Sequence, residues 1–311
     1  VGLYYYKITK HDFSMLQTVL ENKLPYSERQ YQRAKIAREL YHSIGNPSIK
    51  DFENIIRMNG IKNCPVTIED KKIAHKIFGP SISTLKGKST RTTPNVAIKD
   101  YIEVPDIIKN THKYVELCID IMYIQGIMFL VTISKNIKFM TIKMIESRSK
   151  KLIYKALDKV FRIYNKAGFV IRTIHADSEF KFITETMKES DIDVNLTSAQ
   201  EHQPDIERAI RVIKERYRAL WHRLPYKAMP KVMIQIGVME MVRWLNAFPP
   251  KGSVSTQYSP RTIMTGQPLD YNKHCKYSFG SYCQALQENM PTNTVNPRTI
   301  GAIYLKALDN Q

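Results

Sequence analysis

The sequence predicts an α/β fold in which helices flank a mixed five-stranded sheet, preceded by a small helical module and followed by a small β unit. Three observations support this prediction. Strand-like and helix-like apolar periods alternate through residues 111–250, helix-start signals mark the first 80 residues, and short apolar runs separated by Gly, Pro and Asn follow residue 250. We therefore expect a helical module at 1–80, a basic linker at 81–110, the main domain at 111–250 and a β-rich segment at 251–311.

The first 80 residues are expected to form several short helices. Two of them begin with a capping-box pattern, Ser48 with Asp51 and Thr67 with Asp70. Gly79 and Pro80 should end the last helix of this module. The residues that follow are polar and basic, so we interpret them as a linker.

The strands of the main domain are predicted from their apolar patterns. Residues 114–122 alternate, so that the apolar set Val115, Leu117, Ile119 and Ile121 should face one side and the polar set Glu116, Cys118 and Asp120 the other. Further strands are expected at 127–133, 137–142, 169–174 and 192–197.

Helices are predicted between and after these strands. Apolar residues recur at helical spacing through 152–164, a short helix is expected near 179–189, and a long helix should begin near Asp205 with another following Pro230. The resulting order β-β-β-α-β-α-β-α-α describes a ribonuclease-H-like mixed sheet covered by helices.

The net charge of the chain indicates the class of partner that it binds. Lys and Arg total 47 against 29 Asp and Glu, which gives the 311 residues a formal charge of +18. Self-repulsion of this size favours a polyanionic partner, with nucleic acid as the leading candidate, and charge for solubility alone as the alternative. No apolar stretch has the length to cross a bilayer, so no membrane partner is expected.

The four cysteines are Cys64, Cys118, Cys275 and Cys283, and none forms a C-x-x-C pair. This spacing argues against a disulfide framework and against a thiolate zinc site, and it fits an intracellular protein.

Three acids stand where a sheet-based fold could bring them together. Asp120 is on the polar face of the first strand, Asp177 follows the fourth, and Glu207 is in the first turn of the long helix. Carboxylates that hold divalent cations suit phosphoryl transfer on nucleic acid. The alternatives are that Asp120 faces solvent, that Asp177 caps the next helix, and that Glu207 complements the helix dipole.

Short segments around these acids resemble the acidic blocks of copia-type retrotransposon integrases. They are C-I-D at 118–120, T-I-H-A-D-S-E-F at 173–180 and D-I-E-R at 205–208, and S-P-R at 259–261, F-G-S-Y at 279–282 and G-A-I-Y-L at 301–305 resemble the region after that family's core. The resemblance covers roughly residues 35 to 308. It implies that 111–250 is an integrase catalytic core with a ribonuclease-H-like fold.

The same resemblance implies the activity. Asp120, Asp177 and Glu207 would be the catalytic and metal-binding residues of a polynucleotidyl transferase that uses Mg²⁺ or Mn²⁺ for DNA end processing and strand transfer. The partners would be retroelement DNA ends and target DNA, the protein would be a homo-oligomer, and it would act in the nucleus after a cytoplasmic particle stage. Because the chain begins with Val1, we expect a piece of a longer polyprotein.

Two departures from the family keep an alternative open. Twenty-nine residues separate Asp177 from Glu207, fewer than the family usually has, and Pro204 and Asp205 replace the Asn-Gly that commonly precedes the glutamate. Of the family's His-His-Cys-Cys zinc module only His42 and Cys64 are plausible survivors, so no zinc is expected. The alternative is a catalytically decayed or repurposed DNA-binding fragment.

Basic residues near the acids are expected to bind DNA. On the long helix they are Arg208, Arg211, Lys214 and Arg218, and in the linker they are Lys86, Lys88 and Arg91. Three of the helix residues follow Glu207 at i+4, i+7 and i+11, so they should share its stripe. An ordinary solvated face is the alternative. His175 is expected to hold its loop by hydrogen bonds, with a role as proton donor as the alternative.

Overall fold

The computed structural model describes residues 5–7, 19–90, 101–197, 203–226, 228–287 and 293–307, without the side chains of 5–7 and of Lys273. The helices are α1 (Val19–Lys23), α2 (Glu28–Ser43), α3 (Ile49–Arg57), α4 (Ile68–Phe78), α5 (Ile82–Lys88), α6 (Asp106–Thr111), α7 (Lys150–Lys166), α8 (Thr184–Lys188), α9 (Pro204–Arg223), α10 (Lys231–Asn246), α11 (Pro260–Thr265) and α12 (Tyr271–His274). The strands are β1 (Tyr5–Lys7), β2 (Tyr114–Ile124), β3 (Ile127–Ser134), β4 (Met140–Ile145), β5 (Val170–Asp177), β6 (Asp193–Thr197), β7 (Tyr282–Leu286) and β8 (Thr299–Tyr304). No helix among these is long and apolar enough to cross a membrane.

The chain divides into two compact units. The first is drawn from Val1–Asn95 and Ser278–Tyr304, and the second from Val96–Tyr277 and Leu305–Gln311. The small sheet that we predicted as a C-terminal segment therefore belongs to the same unit as the N-terminal helices. Each unit has its own hydrophobic cluster.

The first unit is built on short capped helices. The Thr67 and Asp70 capping box forms as predicted, and the sequence reading missed a second one at Ser27, where Gln30 completes the reciprocal bond. The Ser48 hydroxyl caps α3 by accepting a hydrogen bond from the Asp51 N–H. It also donates to the Asp51 carboxylate, which takes the place of the reciprocal bond from the Ser48 backbone N–H that a capping box has. The apolar cluster beneath these helices consists of Ala34, Ala37, Val66, Ile73, Ala74 and Ile77.

A three-stranded sheet completes this unit in the order β1-β8-β7, with both pairings antiparallel. The sequence predicted the two strands at the C-terminal end. It did not predict β1, because a strand of three residues gives too short a pattern to distinguish.

The second unit contains the five-stranded sheet in the order β4-β3-β2-β5-β6. Strand β3 pairs antiparallel with β2 and with β4, whereas β5 pairs parallel with β2 and β6 pairs parallel with β5. Helix α7 covers one face, and its Ile153, Leu157 and Val160 pack with Leu117 and Ile119 of β2 in the main core. Helices α9 and α10 contact the strands β2, β3 and β4. The predicted α/β fold class is confirmed.

Several predicted boundaries differ from the structure, among them the end of the fourth predicted strand, which extends to Asp177 as β5. Strand β4 begins at Met140 and not at residue 137, because Lys138 has a φ of 58° and the chain is still turning there. The predicted linker at 81–110 contains α5 and α6, and its residues 91–100 lie outside the described part. Residues 251–277 are part of the second unit, since Ile263 and Met264 of α11 are buried in its core.

Candidate active site

The pairing of β2 with β5 places two of the predicted acids side by side. These parallel strands are in register at Cys118 and His175, where the described ladder ends. Two residues further along each strand come Asp120 and Asp177, which point to the same face of the sheet because side chains alternate. The Asp177 carboxylate is close enough to raise the pKa of the Asp120 carboxyl, so the two acids lie near each other just beyond the end of this ladder. This is the face that α9 covers, opposite the core around α7.

A cleft of about 330 Å³ opens at this place. Its lining consists of Asp120, Glu207, Ile210, Arg211, Lys214, Glu215 and Arg218. The strand acid and the helix acid therefore share one concave surface with the three cations at i+4, i+7 and i+11 from Glu207. Of the predicted helix residues, Arg208 is exposed but does not line the cleft, because it lies about 100° around the helix from Glu207.

Asp120 sits in an unfavourable environment for a negative charge. Burial raises the pKa of its carboxyl to about 6, and the nearby carboxylates of Asp177, Glu179 and Glu207 raise it further, whereas a backbone hydrogen bond opposes the shift. That bond runs from the Ile121 N–H to Asp120 Oδ1 over 2.6 Å. The side chain is half-buried, so the alternative of a solvent-facing acid on the outer side of the sheet does not hold.

Asp177 is the exposed last residue of β5 and precedes a 3-10 helix at Ser178–Ile183. Its side chain makes no capping bond to that helix, so the capping alternative does not account for it. The Thr197 hydroxyl lies 3.3 Å from Asp177 Oδ1 and 3.2 Å from the Ala176 carbonyl oxygen. Asp177 is thus tied to β6 through a hydroxyl group.

Gln203 extends this connection to the start of α9. Its Nε2 donates to Thr197 Oγ1 over 3.2 Å, and its buried Oε1 atom has no hydrogen-bond partner among the residues that the structure describes. The sequence analysis did not single out Gln203 or Thr197, because only the fold brings these two residues next to Asp177. The loop that we expected to be tight includes residues 198–202, which lie outside the described part.

Further polar contacts fix the neighbouring strand ends. His175 Nε2 lies 2.7 Å from Glu116 Oε2, and Lys135 Nζ lies 3.0 Å from the same oxygen. Lys138 Nζ binds Asp205 Oδ1 at 2.8 Å and so ties the β3–β4 turn to the first turn of α9. The bond to Glu116 agrees with the structural role that we expected for His175.

The donors on this face suit a hard cation by their chemistry. Asp120, Asp177 and Glu207 offer carboxylate oxygens only, which is the ligand type of Mg²⁺ and Mn²⁺. Burial raises the pKa of the intervening Cys118 thiol to about 11, so this group stays neutral and is a poor ligand. Among the described residues, however, no three His, Cys, Asp or Glu side chains are close enough together to form a metal site.

The remaining predicted residues lie in the first unit. Lys86 and Lys88 are exposed on α5, where the Lys88 ammonium binds the Asn46 carbonyl, and Arg91 lies outside the described residues. His42 Nδ1 is 2.7 Å from Asn46 Oδ1, and the Cys64 thiol is 4.0 Å from the Val66 carbonyl. The expectation of a zinc-independent module stays a prediction.

Comparison with known proteins finds likenesses among solved structures. No family model matches the chain, and no curated protein matches it. Among solved structures, the catalytic core domain of BIV integrase aligns over 48% of this chain and 92% of its own length, with 15% identity and a TM-score of 0.36. The side chains of the cleft are therefore judged by their own geometry.

Proposed function

We propose that this protein is an integrase, a polynucleotidyl transferase that processes DNA ends and joins them to target DNA at the cleft of the second unit. One observation carries the proposal. Asp120 and Glu207 share a single cleft with Arg211, Lys214 and Arg218, and Asp177 is the neighbour of Asp120 on the sheet. The row of cations suits binding of the phosphates of a DNA backbone, and the carboxylates beside it suit phosphoryl transfer at one of these phosphates.

The three cations of α9 would bind the phosphates of the DNA substrate. Arg211 and Arg218 are exposed along α9 and Lys214 is partly exposed, so a DNA backbone that follows the helix meets three positive charges in sequence. Arginine can hold a phosphate with two parallel hydrogen bonds, whereas lysine acts as a point charge. Glu215 lies 4.0 Å from Arg211 and orients that guanidinium only weakly, because both groups are exposed.

The acids would hold the metal. Asp120, Asp177 and Glu207 are the residues that we assign to Mg²⁺ or Mn²⁺, which when bound stabilises negative charge on the attacking and leaving oxygens of the phosphodiester. Binding of a cation also fits the raised pKa of Asp120, since burial and the nearby carboxylates of Asp177, Glu179 and Glu207 oppose ionisation of its carboxyl. The Thr197 hydroxyl bond gives Asp177 a fixed starting position.

The finer parts of the proposal come from the sequence resemblance. We assign the chain to the copia-type retrotransposon integrases, as a piece of a Pol polyprotein whose substrates are element DNA ends and target DNA. A homo-oligomer that acts in the nucleus, after a cytoplasmic particle stage, belongs to the same proposal.

The test is a strand-transfer assay with a short labelled DNA duplex in Mg²⁺ or Mn²⁺. We expect joined products with the unaltered protein and none with Glu207→Gln. Glu215→Gln is the matched control. Glu215 lines the same cleft two turns further along α9, so this substitution makes the same chemical change at another position of the cleft. Equal activity of the two variants would refute the assignment of Glu207.

A second candidate is a DNA-binding protein without catalysis. The observation that favours it is the lack of a three-ligand metal group among the residues that the structure describes. In that case the same assay gives DNA binding but no products in either metal, and Glu207→Gln binds DNA at least as well as the unaltered protein because a negative charge has been removed.

A further inference from the structure

Helix α7 carries a concentrated positive charge that the proposed active site does not use. Its 17 residues contain six cations and one acid, Asp158, which forms an ion pair with Arg162 over 2.9 Å. Five of the cations lie within an arc of about 80° when residues are placed at about 100° intervals around the helix: these are Lys151, Lys155, Lys159, Arg162 and Lys166. We call these five residues the α7 basic stripe.

The stripe points away from the core. The apolar side of α7, with Ile153, Leu157, Val160 and Tyr164 buried, lies nearly opposite to it, so the cations are held facing solvent by the packing of the helix. From Lys151 to Lys166 the stripe extends over about 22 Å, at about 1.5 Å per residue. The buried residues of α7 run from Ile153 to Tyr164, so the helix is held by its packing over most of the length of the stripe.

The sheet supplies further positive charge beside the helix. Lys143 pairs with Leu130 across β4 and β3, and Leu130 belongs to the core under α7, so Lys143 rises on the same face as the helix. Burial lowers the pKa of Lys143, and the ammonium groups of Lys159 and Lys306 lower it further. A cluster of ammonium groups that repel one another is stabilised when an anion binds among them.

We propose that the α7 basic stripe, with Lys143 beside it, is a second DNA-binding surface that takes the phosphate backbone of a duplex separate from the one in the cleft. The cleft lies on the α9 face of the sheet and the stripe on the opposite face, so one straight duplex cannot occupy both. A row of about 22 Å matches six or seven base pairs at about 3.4 Å each.

The chemistry of the surface selects a duplex over other polyanions. Single-strand binding surfaces add a row of aromatic rings on which bases stack, whereas Tyr154 is the one exposed aromatic residue of α7. Membrane-surface helices insert an apolar face into the lipid, and the apolar face of α7 is already buried in the core. Contacts to phosphates alone imply binding without sequence preference.

The experiment compares Lys155→Glu/Lys159→Glu with the matched control Lys50→Glu/Lys62→Glu, which makes the same charge change at exposed lysines of the first unit. Binding of a duplex of arbitrary sequence is measured against salt, in a background of Arg211→Glu/Lys214→Glu that weakens the cleft. We expect the stripe variant to lower the slope of log affinity against log salt by about 1.8, or about 0.9 for each lost phosphate contact. The control should leave it nearly unchanged.

A second measurement does not depend on the variants. Chemical acetylation of lysines on the unaltered protein, read by mass spectrometry, should show that duplex DNA protects Lys151, Lys155 and Lys159, but not Lys50. Equal slopes for the two variants, or no protection of α7 at saturating DNA, would overturn the proposal. Protection by anionic lipid vesicles or by single-stranded DNA in preference to the duplex would overturn it as well, and would assign the surface to that partner.

Discussion

Replacement of Asp120 by asparagine should stabilise the metal-free second unit, although it removes a residue that we assign to catalysis. The carboxylate is half-buried, its pKa is raised to about 6, and the neighbouring acids oppose its ionisation. Asparagine has nearly the same shape and keeps an oxygen that can accept the Ile121 N–H bond. The substitution therefore removes a charge that the fold tolerates poorly and leaves the local hydrogen bond in place.

The magnitude follows from the pKa. A shift of about two units corresponds to about 3 kcal/mol at neutral pH. Because the cleft is open to solvent, screening reduces this figure, and we expect about 1.5 kcal/mol. For a unit of this size that is a rise in Tm of roughly 3 to 6 °C. A raised carboxyl pKa means that the ionised group destabilises the folded state, so the gain is complete above about pH 6 and disappears as the pH falls to about 4.

The assay is thermal unfolding in chelator at several pH values, with Asp193→Asn as the matched control. Asp193 is exposed at the start of β6, so the same chemical change should alter the Tm little. Added Mg²⁺ should stabilise the unaltered protein and narrow its gap to Asp120→Asn, since the bound ion compensates the carboxylate. A Tm of Asp120→Asn at or below that of the unaltered protein, in chelator at pH 7.5, would refute this reasoning.

Three further predictions concern other parts of the molecule. Arg211→Ala/Lys214→Ala should lower the slope of log DNA affinity against log salt by about 1.8, as measured by fluorescence anisotropy, and an unchanged slope would return this face of α9 to solvent. Thr197→Val should reduce the strand-transfer rate by roughly five- to tenfold, the equivalent of about 1 kcal/mol, with DNA affinity unchanged, because it removes the hydroxyl that positions Asp177. A chelator should leave the helical circular dichroism of the full chain unchanged, since Arg33 and Asp70 join α2 and α4 through two hydrogen bonds of 2.8 and 2.7 Å. A cooperative loss of helix in chelator would contradict the last of these.

The main sheet could be predicted from the sequence because each of its strands has a local apolar pattern. The alternation around Asp120 fixes which side chains face the core, and the structure shows Val115, Leu117 and Ile119 buried there as expected. The sequence placed Asp177 just past the fourth predicted strand, and the structure makes it the last residue of that strand. The parallel register of β2 and β5 was not, and it is this register that makes the two acids neighbours.

Features that depend on residues far apart in the chain could not be predicted. The strand β1 pairs with β8, almost the whole chain length away, and three residues carry no periodicity by themselves. Gln203 and Thr197 are ordinary polar residues until the fold places both beside Asp177. The α7 basic stripe, in contrast, was present in the sequence at helical spacing, but the apolar face of the same helix drew the interpretation toward packing alone.

The two faces of the main sheet differ in how their charges act on DNA. On the α9 face, DNA phosphates are attracted by Arg211, Lys214 and Arg218 and repelled by Asp120 and Glu207 in the same cleft. A bound divalent cation offsets the negative charge of the acids, so DNA affinity in the cleft should depend on the metal. On α7 itself Asp158 is the one acid beside six cations, and it is paired with Arg162. DNA bound there should be insensitive to Mg²⁺ beyond ordinary screening, and this difference separates the two surfaces in a single titration.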